Sequence, residues 1–131
     1  MCDWLVFHPD KEAGVLHIEV KFQRLIELQP DTYEETDAFC DQIYPVIDTI
    51  QEICTTHNLR QECSADMNDI DATMIKPMTM MRIIWNVYNH TKDNIRLTSC
   101  EIHNTNSIVA TMYSTMKGFL PAFIRKIIKL N

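Results

Sequence analysis

The stretch KPMTMMRIIWNVYNHTKDNIRLTSCEI, residues 76–102, reads as one helix passing through a polar turn into one strand, and the rest of the chain can be arranged around it. Pro77 suits a first helical position, where its missing N–H is not needed, and Met78, Met81, Ile84, Trp85 and Tyr88 follow at helical spacing. This helix is apolar over more than one face, so it must be covered on more than one side. The polar run 90–94 ends it, and residues 95–102 alternate as a strand does.

Upstream, residues 59–67 alternate again and predict a further strand, which runs into an acidic turn containing Asp66, Asp69 and Asp71. The spacing of the acids is similar to that of a calcium loop. Counted from Asp66, however, Asp71 stands where the loop needs glycine and Pro77 where it needs the bidentate glutamate, so no metal is expected and the acids are read as caps of the next helix. Before this strand, Thr32 and Glu35 form a capping box that opens a helix carrying Phe39, Ile43, Val46, Ile47, Ile50 and Cys54 on one face. Pro45 inside it predicts a kink or break near Gln42. Residues 15–22 place Leu16, Ile18, Val20 and Phe22 on one side of a strand and His17, Glu19 and Lys21 on the other. With the apolar run 4–7 and a turn at His8, Pro9 and Asp10, this predicts an antiparallel hairpin.

Downstream, residues 104–107 offer N-caps for a helix bearing Ile108, Val109, Met112 and Met116, with Gly118 as its C′ residue. Pro121 can open a short helix, and residues 126–130 can close as an edge strand. The fold class expected is therefore α/β: a single-layer mixed sheet of about four to five strands with helices packed on it, in the order β-β-α-β-α-β-α.

At 131 residues, with 46% apolar and 23% charged side chains, the chain has the size and balance of a single globular domain spanning residues 1–131. No apolar run approaches the roughly 20 residues that span a bilayer, and residues 1–12 lack the basic and apolar regions of a secretory signal. A cytoplasmic location is expected, and the Asn89, His90, Thr91 triplet is accordingly not read as a glycosylation site. Cys2, Cys40, Cys54, Cys63 and Cys100 show no paired metal-ligand spacing and read as reduced thiols, buried except for Cys2 near the chain end. The net charge of −6 conceals an asymmetry. Residues 1–75 hold 4 Lys and Arg against 16 Asp and Glu, a balance of −12, while residues 76–131 hold 8 against 2, a balance of +6.

Ser64 to Ile70, SADMNDI, resembles the strand-plus-acidic-turn segment, apolar-Asp-apolar-x-Gly, of STAS (SpoIIAA-like) and CRAL-TRIO domains. Residues 95–100, then Met116-Lys117-Gly118-Phe119-Leu120-Pro121 and Arg125-Lys126-Ile127, resemble the strand, helix, turn and closing strand that end CRAL-TRIO domains. The resemblance spans residues 59–130. It implies a SpoIIAA/STAS-like order of elements. STAS regulators that switch by phosphorylation place a serine before the helix after this strand; Thr73 is the nearest hydroxyl here, so no phospho-switch is expected. The helical lobe that precedes CRAL-TRIO domains is not matched, so no full lipid cavity is expected either.

Two functions follow. The first is a non-enzymatic protein-interaction or regulatory module, a subunit of a larger assembly. The second is a small lipid- or membrane-surface-binding domain of CRAL-TRIO-like type. In both, the partner- or lipid-binding residues are Lys117, Phe119, Leu120, Phe123, Arg125 and Lys126 in the basic apolar tail, with the acidic turn as the other surface of interest. No cofactor is expected, and nucleic acid is disfavoured by the acidic total. His57, His90 and His103 are the only catalytic candidates, and no fixed partner accompanies them, so no enzyme is expected.

Overall fold

The computed structural model describes residues 2–131. The opening hairpin joins β1 (Leu5–Asp10) to β2 (Val15–Val20), paired antiparallel so that Leu5 faces Val20 and Asp10 faces Val15. The turn falls at residues 11–14, three residues later than the sequence suggests. Pro9 lies within β1, an edge strand where a missing N–H costs no ladder bond, and Asp10 accepts from the Ala13 N–H at 3.2 Å. Gly14 completes the turn at φ 71°, a conformation that a side chain disfavours.

β2 ends at Val20 and not at Phe22. Phe22, Leu25 and Ile26 instead form the inner face of a short helix, α1 (Phe22–Leu28), which the alternation of the preceding strand masks in the sequence. α2 (Tyr33–His57) begins where the capping box predicts: the Thr32 hydroxyl oxygen accepts from the Glu35 N–H at 3.1 Å and donates to the Glu35 carboxylate at 3.0 Å. The predicted break at Pro45 does not occur; α2 runs through it for 25 residues. Pro45 and Asp41, whose carbonyl it leaves without an amide, are both exposed.

Beyond α2 the chain alternates strand and helix: β3 (Arg60–Asp66), α3 (Pro77–Thr91), β4 (Leu97–His103), α4 (Ser107–Met116), α5 (Ala122–Ile127) and β5 (Ile128–Leu130). Short 3-10 turns cover Ala72–Met74, Lys92–Asn94 and Lys117–Phe119. Pro77 takes the first turn of α3, and the Asn106 side chain caps α4 by accepting from the Val109 N–H. Gly118 is not the left-handed C′ residue expected, since α4 ends at Met116 and the chain tightens into the 3-10 turn.

The sheet is five-stranded and mixed, in the order β1-β2-β3-β4-β5, with every pair after the first parallel. The molecule is thus α/β with a single sheet, as the sequence predicts. Each crossover advances in the same direction, so right-handed connections put all the helices on one face. The other face carries polar rows such as Glu19, Ser64, Glu101 and Lys129, aligned across four strands.

A ladder of side chains fixes α3 against α2. Arg82 donates to both Asp37 carboxylate oxygens, at 2.9 and 2.8 Å, and its guanidinium lies 4.6 Å from the Tyr33 ring centroid. Asn86 adds a third bond to Asp37 at 2.9 Å. One helical turn on, His90 stacks on Tyr44 and contacts Asp48 at 2.7 Å. Among the described residues no helix is long and apolar enough to cross a membrane.

Candidate functional site

Apolar residues on both layers do not meet everywhere. Beneath the C-terminal half of α2, where β2 and β3 begin, they close completely: Leu16, Cys54 and Leu59 are at most 1% exposed. Over β4 and β5, Cys100, Ile102 and Ile128 from the sheet and Met112, Phe123 and Ile127 from the helices stay half-buried, because between them lies a cavity of about 380 Å³. Native interiors leave few voids larger than a water molecule, so a space of this size between the layers of a small domain is the candidate site.

The floor is the sheet. Ile18, Val20, Cys63, Ala65, Cys100 and Ile102 line it from β2, β3 and β4. A bulge shapes this floor: Gln61 pairs with Leu97 but Glu62 with Ser99, leaving Thr98 as the extra residue, its hydroxyl donating to the Gln61 carbonyl at 3.1 Å. Leu97 and Cys100 therefore both face the cavity, whereas regular alternation would put them on opposite faces. The roof comes from α3, with Ile84, Val87 and Tyr88, and from α4 and α5, with Met112, Phe123 and Ile124.

Cys63 and Cys100 are register partners on neighbouring strands. Both lie deep in the molecule, and their accessible surface faces the cavity. The hydrogen bond shared with Cys100, and burial after it, push the Cys63 thiol well above its ordinary range, so this thiol stays protonated and unreactive. Cys2, expected to be exposed, is half-buried, and burial raises its thiol too.

Polar atoms reach the cavity at one end, where β3 and β4 begin. Gln51 of α2, Gln61, Thr91 and Arg96 meet there. Gln61 donates to the Gln51 side-chain oxygen, Gln51 donates to the Asn94 carbonyl at 2.7 Å, and the Thr91 hydroxyl turns back to Val87 at 3.0 Å. Arg96 is less satisfied. One terminal nitrogen donates to the Leu59 carbonyl at 3.3 Å, while its Nε is buried and has no hydrogen-bond partner among the described residues.

The tail residues singled out in the sequence divide between the two sides of this wall. Leu120 is buried and Phe123 half-buried, and both line the cavity. Phe119 is 68% exposed and points outward with Lys117, Arg125 and Lys126. The Trp85 indole N–H donates to the Phe119 carbonyl at 2.7 Å and ties this segment to α3. The cavity was not anticipated in the sequence, and neither were Gln51, Gln61 and Arg96 as its polar end. The available signal was the phase change between Leu97 and Cys100.

The acidic turn lies apart from the cavity, and its carboxylates serve local structure. Asp66 accepts from Asn104 Nδ2 at 2.8 Å and from the Asn68 N–H at 2.9 Å, which holds its carboxyl below the usual range. Asp71 caps the 3-10 turn, accepting from the Thr73 hydroxyl at 2.6 Å and its N–H at 3.0 Å, with the same effect. Asp69 occupies the left-handed position of the turn at φ 60°. Of the histidines, His90 packs between α2 and α3, His103 at the end of β4 lies 3.9 Å from Glu101, and His57 ends α2. Among the described residues no three His, Cys, Asp or Glu side chains gather as a metal site requires. Compared with known proteins, the chain matches no family model, no curated protein and no solved structure.

Proposed function

We propose that this chain binds a single-chain apolar ligand between its sheet and its C-terminal helices, which is the lipid-binding alternative of the two functions expected. The observation that carries it is the cavity of about 380 Å³, lined almost wholly by aliphatic, aromatic and sulphur-containing side chains. An apolar occupant gains the transfer of its own surface from water to this lining. The tail supports the reading from outside, since exposed Phe119, Lys117, Arg125 and Lys126 form the apolar-and-basic combination that meets an anionic membrane surface.

Native mass spectrometry of the purified protein, with organic extraction of whatever it carries, tests this directly. A bound apolar mass, or saturable uptake of the fluorescent probe N-phenylnaphthylamine by the folded protein, is the expected result. A folded protein that carries nothing and takes up no probe overturns the reading. The membrane part is tested separately, by sedimentation with anionic vesicles at low and high salt.

A second reading keeps the protein-interaction class. Met74, Met78 and Ile108 are 60%, 59% and 50% exposed where the start of α3 meets α4, beside a shallow groove lined by Pro77, Ile108, Thr111 and Met112. Such a patch fits a protein contact. Partners recovered from native lysate by the wild-type chain and lost with Met78→Glu and Ile108→Glu support it; identical recoveries remove it.

A further inference from the structure

The polar end of the cavity points to a particular chemistry of ligand. We propose that Arg96, with Gln51 and Gln61, forms the headgroup site for the carboxylate of a single-chain fatty acid, an inference that rests on the cavity being a ligand site. The Arg96 Nε is the one buried side-chain nitrogen or oxygen without a hydrogen-bond partner among the described residues, and no carboxylate of those residues pairs with this guanidinium. A desolvated cation without a counterion is costly, and a carboxylate brought up to the guanidinium from the cavity supplies one. A guanidinium offers two parallel N–H groups, which matches a carboxylate edge.

The surroundings fit the same ligand. The Gln51 and Gln61 side chains already bond each other and neighbouring groups, so they fix the polar end and leave Arg96 as the unspent donor. The bulge at Thr98 lies beside it and breaks the strand's regular alternation where Arg96 and Leu97 both reach the cavity. Everything beyond this end is apolar, from Cys63 and Cys100 in the floor to Met112 and Phe123 in the roof. At about 30 Å³ for each small group, the volume holds roughly a dozen methylene-sized units in line. One charged end and one medium-length hydrocarbon chain account for both parts of the site.

Displacement of N-phenylnaphthylamine by laurate and by lauryl alcohol, which share a chain and differ at the headgroup, tests the assignment. Wild-type protein is expected to prefer laurate by about tenfold or more. Arg96→Met is expected to abolish that preference while keeping lauryl alcohol and the probe within about twofold of wild type, and Arg96→Lys, which keeps the charge but not the fork, to fall between. Equal wild-type affinity for laurate and lauryl alcohol overturns the headgroup assignment and leaves Arg96 bonded to water, with the apolar site intact. A laurate preference that survives in Arg96→Met overturns it as well. Failure of the probe and both ligands to bind folded protein instead removes the cavity reading on which the proposal stands. The wild-type comparison needs no variant, so a misfolded Arg96→Met does not blunt the test.

Discussion

Beneath the C-terminal half of α2, Cys54 packs with Leu16 and Leu59 and all three are at most 1% exposed; over β4 and β5, Met112, Phe123, Ile127 and Ile128 touch the same kind of surface and remain half-buried. Residue type does not explain the difference, because both halves are aliphatic and sulphur-rich. Helix length does. α2 has 25 residues and reaches about 38 Å, enough to lie across two strands in one rigid piece, whereas α4 and α5 have 10 and 6 and are joined by a 3-10 turn. Two short helices cover less of the sheet than one long one, and the cavity lies beneath them and α3 and reaches the edge of α2.

Truncations should separate the halves most sharply. Leu16→Ala removes a fully enclosed side chain and should cost about 2 to 5 kcal/mol in denaturant unfolding, while Ile127→Ala trims a wall that is already open and should cost about 1 kcal/mol or less. Equal losses would mean that the cavity closes in solution. Enlarging side chains should then reverse the ranking: Cys54→Leu has no space to enter and should destabilise by about 1 to 3 kcal/mol. Cys100→Leu grows into the void and should leave the unliganded protein as stable or slightly more so, while weakening uptake of the apolar probe.

Acid should loosen the joint between α2 and α3. Hydrogen bonds from Arg82 and then Asn86 lower the Asp37 carboxyl to about 2, from 3.8. A folded-state value below the unfolded one means the stabilisation is complete above about pH 4 and is lost as pH falls through about 2. Thermal melting followed across that window should show a slope that Asp37→Asn flattens, with Asp66 and Asp71 supplying what remains. The smallest effect is kinetic. Methyl methanethiolsulfonate, small and apolar, should reach Cys100 before Cys40 and Cys54, and laurate should slow Cys100 alone; labelling of all three in step would put the two halves on one footing.

The packed half was the more legible in sequence. Thr32 with Glu35, the 3.6-residue spacing of α2 and the alternation from Leu16 to Val20 are local signals, and each formed the element it specifies. Single residues mislead there without their surroundings: Pro9 costs no ladder bond on an edge strand, and α2 continues unbroken through Pro45 on its exposed face. α1 was hidden because Phe22 continues the β2 alternation while also starting the spacing of Leu25 and Ile26. The cavity belongs to a different order of information. Sequence patterns say which face of an element is apolar, and nothing in them states how closely two apolar faces approach. Gln51, Gln61 and Arg96 stand 10 and 35 positions apart along the chain and converge only through the β3–β4 pairing.

The hydrogen bond from Trp85 to the Phe119 carbonyl gives the molecule an optical readout of its own wall. Trp4, 7% exposed and stacked on Phe39 with ring centroids 5.9 Å apart, emits from an enclosed site and reports whether the chain is folded. Trp85 is 37% exposed, and its indole N–H is fastened to the segment that holds Leu120 against the cavity, so its emission maximum and quenching by iodide follow that segment. Two indoles in two environments turn one fluorescence spectrum into separate records of folding and filling, with no label attached.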